Sequence, residues 1–207
     1  MKSLAILGAS GHGKVVADCA ELCGWQSVVF FDDAWQSREV NGHWPVRGDT
    51  QALLANLSQF DGVLVAIGNN RIRQDKLHQL LDAGAKVVSV VHPQAIVSRY
   101  ALIGVGSVVF AGAVINVDAS IGAGTIINTG ASVDHDCVLG SAVHVSPGAC
   151  LAGGVSVGDR GWVGIGASMR QLVCIGSDVV VGAGAVVVKD VPAGVTVVGN
   201  PARVMER

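Results

Sequence analysis

The chain has 207 residues, half of them apolar, 4% aromatic and 14% charged, with a formal net charge of −2 at pH 7. That length predicts one or two domains with a sizeable core; the absence of a basic patch argues against a nucleic-acid partner, and no apolar run reaches the ~18 residues of a membrane span. The start MKSLAILGAS has neither the charged region nor the cleavage site of a secretory leader, and five cysteines without framework spacing point to a reducing, cytoplasmic setting.

In chain order, residues 3–7 (SLAIL) form an apolar run, GASGHGK opens a turn, and a helical spacing carries Val15, Val16, Cys19 and Leu22 to Gly24. Cys19 and Cys23, one helical turn apart, read as packing residues rather than metal ligands. A second strand is expected over 27–31, ending in Asp32 and Asp33, and a short helix over 50–57. A third strand over 62–67 ends in Gly68, Asn69 and Asn70. A helix over 71–83 carries Ile72, Leu77, Leu80 and Leu81 on one side and stops at Gly84, and a fourth strand is expected over 86–91. Strands alternating with helices predict a parallel sheet covered on both faces, about half of a Rossmann unit, over residues 1–90.

The strand-end turns of this domain share one edge. Open parallel sheets bind ligands at the carboxyl ends of their strands. The turn Gly8-Ala9-Ser10-Gly11-His12-Gly13 brings backbone N–H groups to a helix N-terminus, where a phosphate can approach. Asp32 and Asp33 follow about 20 residues on, at the place of a ribose-binding acid. With the Gly68 turn they form a candidate nucleotide pocket. The glycine spacing is G-x-x-G-x-G rather than the dinucleotide G-x-G-x-x-G, and half a Rossmann unit does not make a full NAD site. His12 either reaches a phosphate or sugar or caps the turn.

From Val91 the chain keeps a six-residue phase: every sixth residue through Val97, Ile103 and Val109 to Val181 and Val187 is aliphatic, seventeen positions without a slip. Four places after the aliphatic the residue is mostly small, as at Ala101, Ser107, Ala113, Thr125 and Cys137, and directly after it Gly or Asn is frequent, as at Gly104, Asn116, Gly122 and Asn128. Neither an α-helix nor a flat strand holds such a phase, so a β-solenoid is predicted. Each hexad makes one short strand and one turn, with the aliphatic and the small residue inward. The Gly and Asn after the aliphatic are expected to supply unusual backbone conformations. Three hexads close a triangular coil, and coils stack roughly 4.8 Å apart. The solenoid is assigned to 91–190, and 191–207 to a tail that breaks phase and folds back.

His135 and His144 are the histidines of the repeat. His135 sits at a turn between Asp134 and Asp136, so it faces outward with a carboxylate beside it, an arrangement that raises a histidine's pKa and suits a general base. Eighteen residues on, one coil along, lies Gly153, whose bare backbone offers an oxyanion-type donor. Trp162 stacks eighteen residues on from His144 on a second corner, either packing against a long apolar arm or covering that corner. A zinc-dependent hydratase of the β-helix type needs three imidazoles around its metal, and two histidines nine residues apart do not supply them.

The combination GASGHG, FDD, AIGNN, INTGASVDHDCVLGSAVHVSPGA and VVGNPARV resembles the sialic-acid O-acetyltransferase-like sugar acyltransferases, and within them the N-acetyltransferases of nucleotide-linked 4-amino-4,6-dideoxy sugars of the bacillosamine pathway type. The resemblance implies a left-handed parallel β-helix and a homotrimer with acetyl-CoA in the groove between neighbouring solenoids. It implies His135 as base, Asp136 (Asp where relatives carry Glu) as its orienting partner and Gly153 as the backbone donor. It places His144, Ile165 and Ala183 on acetyl-CoA, and Ser10, Gly11, His12, Asp32, Asp33, Gly68, Asn69 and Asn128 on the nucleotide sugar, with no metal. The expected reaction is acetyl transfer to the 4-amino group, UDP-linked acceptors being favoured. A GDP-linked amino sugar, O-acetylation of sialic acid and a non-catalytic nucleotide-sugar-binding role are the alternatives.

Overall fold

The computed structural model describes residues 2–34 and 39–205, so Met1 at the head of the chain and the last two residues of the tail lie outside the described residues. The chain divides into two compact units, Met1–Pro93 and Gln94–Arg207.

In the first unit the apolar runs become β1 (Ser3–Leu7), β2 (Ser27–Phe31) and, further on, Gly62–Val65, which pair in parallel with Ser3–Leu7 at the centre. Leu4, Ile6, Phe30 and Leu64 have no exposed surface, because helices cover both faces, as a continuous apolar strand requires. Helix α1 (Gly11–Leu22) buries Val16, Ala17, Cys19 and Ala20. A hairpin of β3 (Val40–Asn41) and β4 (Trp44–Pro45), not foreseen in the sequence, docks through Trp44 Nε1, which donates to Glu21 Oε1 at 2.8 Å, and Asn41 Nδ2, which donates to Ser10 O at 3.1 Å. The expected helix over 50–57 is α2 (Thr50–Ala55), capped by Asp49 and followed by a single 3-10 turn at Leu57–Gln59. Gly62–Val65 is then β5 and Asn70–Asp82 is α3.

Two expectations need correction here. The fourth strand over 86–91 does not join this sheet as a strand; only Val87 bridges Val63. Val63 N–H donates to Lys86 O at 2.9 Å and Val88 N–H to Val63 O at 3.0 Å, the two bonds of a single parallel bridge, while Val87 N–H turns back to Ala85 O at 2.8 Å. The buried face of α3 is Asn70, Arg73, Leu77 and Leu80, whereas Ile72 and Leu81 are 47% and 40% exposed. A strict i, i+3, i+7, i+10 stripe is the true inner face, and it contains an arginine that an apolar count passes over.

In the second unit each hexad yields a two-residue strand paired in parallel with partners one coil away, as Ile127 opposite Val145 and Val133 opposite Leu151, a separation of eighteen residues (145 − 127 and 151 − 133). The first face of the prism runs from Ile96–Val97 to Val186–Val187 in six strands and the second from Leu102–Ile103 to Cys174–Ile175 in five. The third carries Val108–Val109, Ile126–Ile127, His144–Val145, Trp162–Val163 and Val180–Val181. The inward aliphatics from Val109 to Val187 and the small residues Ala113, Ala131, Ala149, Ala167 and Ala185 form one core, with Val97 and Ile103 partly buried against it. Val91, the first member of the hexad phase, is 36% exposed and belongs to the first unit. Inward polar residues are satisfied: Ser107 Oγ donates to Gly122 O at 3.0 Å and Thr125 Oγ1 to Gly140 O at 3.2 Å.

The glycines play two roles, and the unusual backbone expected directly after the aliphatic lies elsewhere. Left-handed backbone falls three places after the aliphatic, at Gly112, Gly130, Gly148, Gly166 and Gly184, and also at Asp118, Asp136, Ala142, Arg160, Leu172 and Asp178. The glycine directly after the aliphatic serves closeness instead: a Cβ at Gly104, Gly122 or Gly164 would strike the backbone of the next coil. Beyond Val187 the coil shortens. Val191 bridges Ile175 and Thr196 pairs with Val180, offsets of sixteen (191 − 175 and 196 − 180), and Arg203–Val204 folds back antiparallel on Thr196–Val198. Val191 and Val197 still enter the core, so this stretch closes the solenoid rather than leaving it.

Because Gly122 lacks room and Gly130 (φ +65°, nothing within 4 Å of an added Cβ) lacks only a favourable φ, Gly122→Ala should destabilise the fold by about 2–3 kcal/mol and Gly130→Ala by about 1–2 kcal/mol. Chemical denaturation of the two variants checks the order, and an equal or reversed loss would contradict the close-packing role.

Candidate active site

Strand Ser132–Val133 of the first face and strand Val138–Leu139 of the second are joined by a corner that presents Asp134, His135 and Asp136. Asp136 has φ +58°. Asp tolerates this left-handed conformation better than most residues, and there its short side chain reaches the neighbouring ring: His135 Nδ1 lies 2.7 Å from Asp136 Oδ2. Asp134 Oδ1 accepts from His135 N–H at 2.8 Å and from Asn116 Nδ2 at 2.7 Å, tying the corner to the preceding coil. The hydrogen bond to Asp136, then the charge of Asp134, raises the His135 pKa above its ordinary value. The bond from Asn116, then that from the His135 backbone, lowers that of Asp134. With Nδ1–H held by Asp136, the neutral ring keeps its lone pair on Nε2.

That nitrogen lies over Gly153: a Cβ added there would sit 2.5 Å from His135 Nε2 and Cε1. Only glycine leaves the imidazole its place. Gly154 N–H donates to His135 O at 2.9 Å, locking the two corners together, while Gly153 N–H has no acceptor among the described residues. A cavity of about 400 Å³ opens here, lined by His135, Asp136, Gly153, Gly154, Gln171 and Leu172. It joins a basic nitrogen to an open backbone donor, the pairing that acyl transfer uses.

His144 and Trp162 stack with ring centroids 4.2 Å apart. They do so on flat strands of the third face rather than at a corner, because the residue before each inward aliphatic points outward from the strand. Thr129 N–H donates to Asn128 Oδ1 at 2.8 Å, which turns Asn128 Nδ2 toward His144 Nε2 at 3.2 Å. His144 Nε2 is therefore an acceptor, and the neutral ring carries its proton on Nδ1. Ile165 and Ala183 stack at the next corner, where Gly184 N–H donates to Ile165 O at 2.8 Å. Asn128, His144, Trp162, Ile165 and Ala183 thus form one neighbourhood. Within one chain it lies across the aliphatic core from His135, Asp136 and Gly153.

In the first unit the turns after β1, β2 and β5 meet at the carboxyl edge of the sheet. Asp32 staples two of them, accepting from Ala9 N–H at 2.7 Å and Ala34 N–H at 2.9 Å. Asp33 accepts from Thr50 N–H and Lys76 Nζ, both at 2.9 Å, and bonding to Thr50, reinforced by Lys76, brings its pKa down to about 2. Ser10 is the N-cap residue of α1 but makes no side-chain capping bond, and Asn69 caps α3 by accepting from Ile72 N–H at 3.1 Å. A Cβ at Gly8 or Gly13 would meet neighbouring backbone, so these glycines serve packing, whereas Gly11 and Gly68 face open space. Burial, then the charge of Arg73, lowers the His12 pKa to about 4, so its imidazole is neutral at neutral pH in the ligand-free chain.

Two contributors escaped the sequence reading. Arg73, 1% exposed, donates from Nη1 to Ile67 O at 2.8 Å and Gly68 O at 3.0 Å and from Nη2 to Asn70 Oδ1 at 2.7 Å, and so shapes the third strand-end turn. Its burial lowers its pKa to about 9. Asn116 stands eighteen residues before Asp134 (134 − 116), and the coil repeat itself would have found it. Among the described residues no cluster of three or more His, Cys, Asp or Glu side chains is suited to a metal ion, and no helix is long and apolar enough to cross a membrane.

An α/β half of Rossmann type followed by a hexapeptide solenoid with a histidine–carboxylate corner defines a sugar acyltransferase of the hexapeptide-repeat class. Residues 3–80 match the PglD N-terminal domain. The chain is 45% identical to the acetyltransferase domain of PglB from Neisseria gonorrhoeae, solved with acetyl coenzyme A, with a TM-score of 0.94 and 99% of each chain covered. It is 44% identical to a variant perosamine N-acetyltransferase from Caulobacter crescentus, solved with CoA and GDP-perosamine, with a TM-score of 0.95 over 100% of this chain and 98% of that one. It is also 39% identical over 111 residues to the UDP-N-acetylbacillosamine N-acetyltransferase of Bacillus subtilis, a match covering 52% of this chain and 50% of that protein. The chain spans about half the length of the curated relatives it matches. It belongs to the PglD-type family of sugar N-acetyltransferases, whose solenoid is a left-handed β-helix.

The His135–Asp136 contact makes a directional prediction. Removing the carboxylate charge with Asp136→Asn takes away the leading cause of the raised pKa, so the His135 resonance should titrate at lower pH than in the unsubstituted protein. NMR titration measures this, and an unchanged midpoint would mean the contact does not tune the base.

Proposed function

We propose that the chain transfers an acetyl group from acetyl-CoA to the 4-amino group of a nucleotide-linked 4-amino-4,6-dideoxy sugar, UDP-linked acceptors being favoured. The observation that carries this reading is the bare His135 Nε2 above Gly153, with Nδ1 2.7 Å from Asp136. The names of the relatives at 39–45% identity support it. A GDP-linked acceptor is the second reading, favoured by the whole-chain likeness to the perosamine enzyme.

The neutral amine attacks the thioester carbonyl carbon. As the C–N bond forms and the C–S bond breaks, Nε2 of His135 takes the amine proton and returns it to the CoA thiolate. Asp136 stabilises the imidazolium, and Gly153 N–H holds the oxygen on which negative charge develops. Ser10, Gly11, His12, Gly68 and Asn69, at the edge that Asp32 and Asp33 hold in shape, bind the nucleotide end, and Asn128 serves the sugar.

His144, Ile165 and Ala183 hold acetyl-CoA, and they occupy a different side of the prism from His135. One chain does not bring the two sets together, so the reading requires a second copy to supply one of them. This supports a homotrimer in which the catalytic corner of one copy faces the third face of the next. The five free thiols suit a reducing cytoplasm, where acetyl-CoA is the donor.

Incubation with acetyl-CoA and UDP- or GDP-linked 4-amino-4,6-dideoxy sugars, followed by release of free CoA, tests the reading. Turnover is expected with the amino sugar, and His135→Ala should lower it by roughly 10²–10⁴-fold. Near-unchanged turnover in that variant would remove His135 from the mechanism.

A further inference from the structure

Leu172 stands out on the catalytic corner. It occupies left-handed backbone (φ +63°) and is 74% exposed. Glycine, or an Asp or Asn whose short side chain bonds locally, tolerates this conformation, whereas an aliphatic side chain is sterically disfavoured there. The two preceding left-handed residues in the same stacked column are Asp136 and Gly154. Leu172 N–H donates to Gly153 O at 3.0 Å, a backbone bond that any residue but proline would make. The isobutyl group buries little, so the folded chain gains little from it. A disfavoured backbone conformation kept beside a reaction centre points to a role in the site.

Its placement defines that role. A Cβ at Gly154 would lie 2.6 Å from Leu172 Cδ2, and a Cβ at Gly153 would lie 2.5 Å from His135 Nε2. The imidazole from one coil and the isobutyl group from the other therefore flank the same glycine floor. The Cα atoms of Gly153 and Gly154 are consecutive, about 3.8 Å apart. A ligand whose amine stands over Gly153 brings the substituent on its neighbouring carbon over Gly154, against Leu172. In a 4-amino-4,6-dideoxy sugar the amine carbon is flanked by C3, which carries a polar substituent, and by C5, which carries a methyl group where other hexoses carry a hydroxymethyl; of the two, the methyl suits an isobutyl neighbour.

We propose that Leu172 is a specificity-determining residue, forming the apolar wall that receives the C6 methyl of the acceptor sugar and disfavours a 6-hydroxylated one. This rests on the acetyltransfer reading of the same corner. A hydroxyl pressed against an isobutyl group loses water without gaining a partner, whereas a methyl gains contact.

The test compares the unsubstituted protein with Leu172→Asn and Leu172→Gly, both better suited to left-handed backbone and so expected to fold at least as stably. Each receives acetyl-CoA with a nucleotide-linked 4-amino-4,6-dideoxy sugar or its 6-hydroxy counterpart, and separately the deoxy acceptor with acetyl- or propionyl-CoA. The ratio of kcat/KM for deoxy over 6-hydroxy acceptor should fall by about tenfold in Leu172→Asn, with the acetyl-to-propionyl ratio unchanged. An unchanged acceptor ratio, or a shift confined to the donor ratio, would overturn the assignment. So would loss of the native oligomeric mass, which would make Leu172 an interface contact. No transfer to either acceptor by the unsubstituted protein would instead sink the acetyltransfer reading, and this proposal with it.

Discussion

The parallel register between residues eighteen apart is the constraint on which the rest of the solenoid depends. Each two-residue strand is too short to stand alone, and its backbone bonds go almost entirely to the coils before and after it. A one-residue slip would turn an aliphatic outward and a polar residue into the core. The glycine directly after the aliphatic keeps this register tight, because any Cβ there would force adjacent coils apart. The same register places His135 on Gly153, Asn116 beside Asp134 and Leu172 over Gly154. The chemistry of the corner is thus a consequence of the stacking.

Much of this was legible from residue order, because a strict repeat converts sequence separation into spatial adjacency. The contacts of His135 with Gly153 and of His144 with Trp162 followed from counting alone. The position of the left-handed residue did not. Glycine is frequent at two places in the hexad for two different reasons, close packing and positive φ, and composition does not separate them. Asp118, Asp136 and Leu172 hold the left-handed place without glycine, which hides it further. Whether His144 sat on a face or a corner depended on that same phase. In the first unit the parallel strands and flanking helices were readable from apolar runs, but Arg73 and the hairpin around Trp44 were not. A buried arginine satisfied by the carbonyls of Ile67 and Gly68 carries no apolar signature, and a hairpin of two-residue strands has too short an alternation to detect.

The two units carry different chemistry. The strand-end edge of the first offers open glycines at Gly11 and Gly68, an arginine-braced turn and a neutral His12, features suited to a nucleotide. The solenoid offers a carboxylate-paired imidazole, an open backbone N–H and an exposed leucine at one corner. Asp32 and Asp33 are more committed to structure than their positions suggest, since their carboxylates already bind Ala9, Ala34, Thr50 and Lys76.

The separation of the catalytic corner from the His144 face within one chain leads to the central claim, that each site is shared by two copies. Coexpression of differently tagged His135→Ala and His144→Ala chains, with purification of the mixed oligomers, tests it most directly. Each variant alone should be inactive. If the corner comes from one copy and the third face from its neighbour, each purified mixed trimer holds one intact site of three and shows about a third of the unsubstituted activity. Mixed oligomers as inactive as either parent would contradict the account.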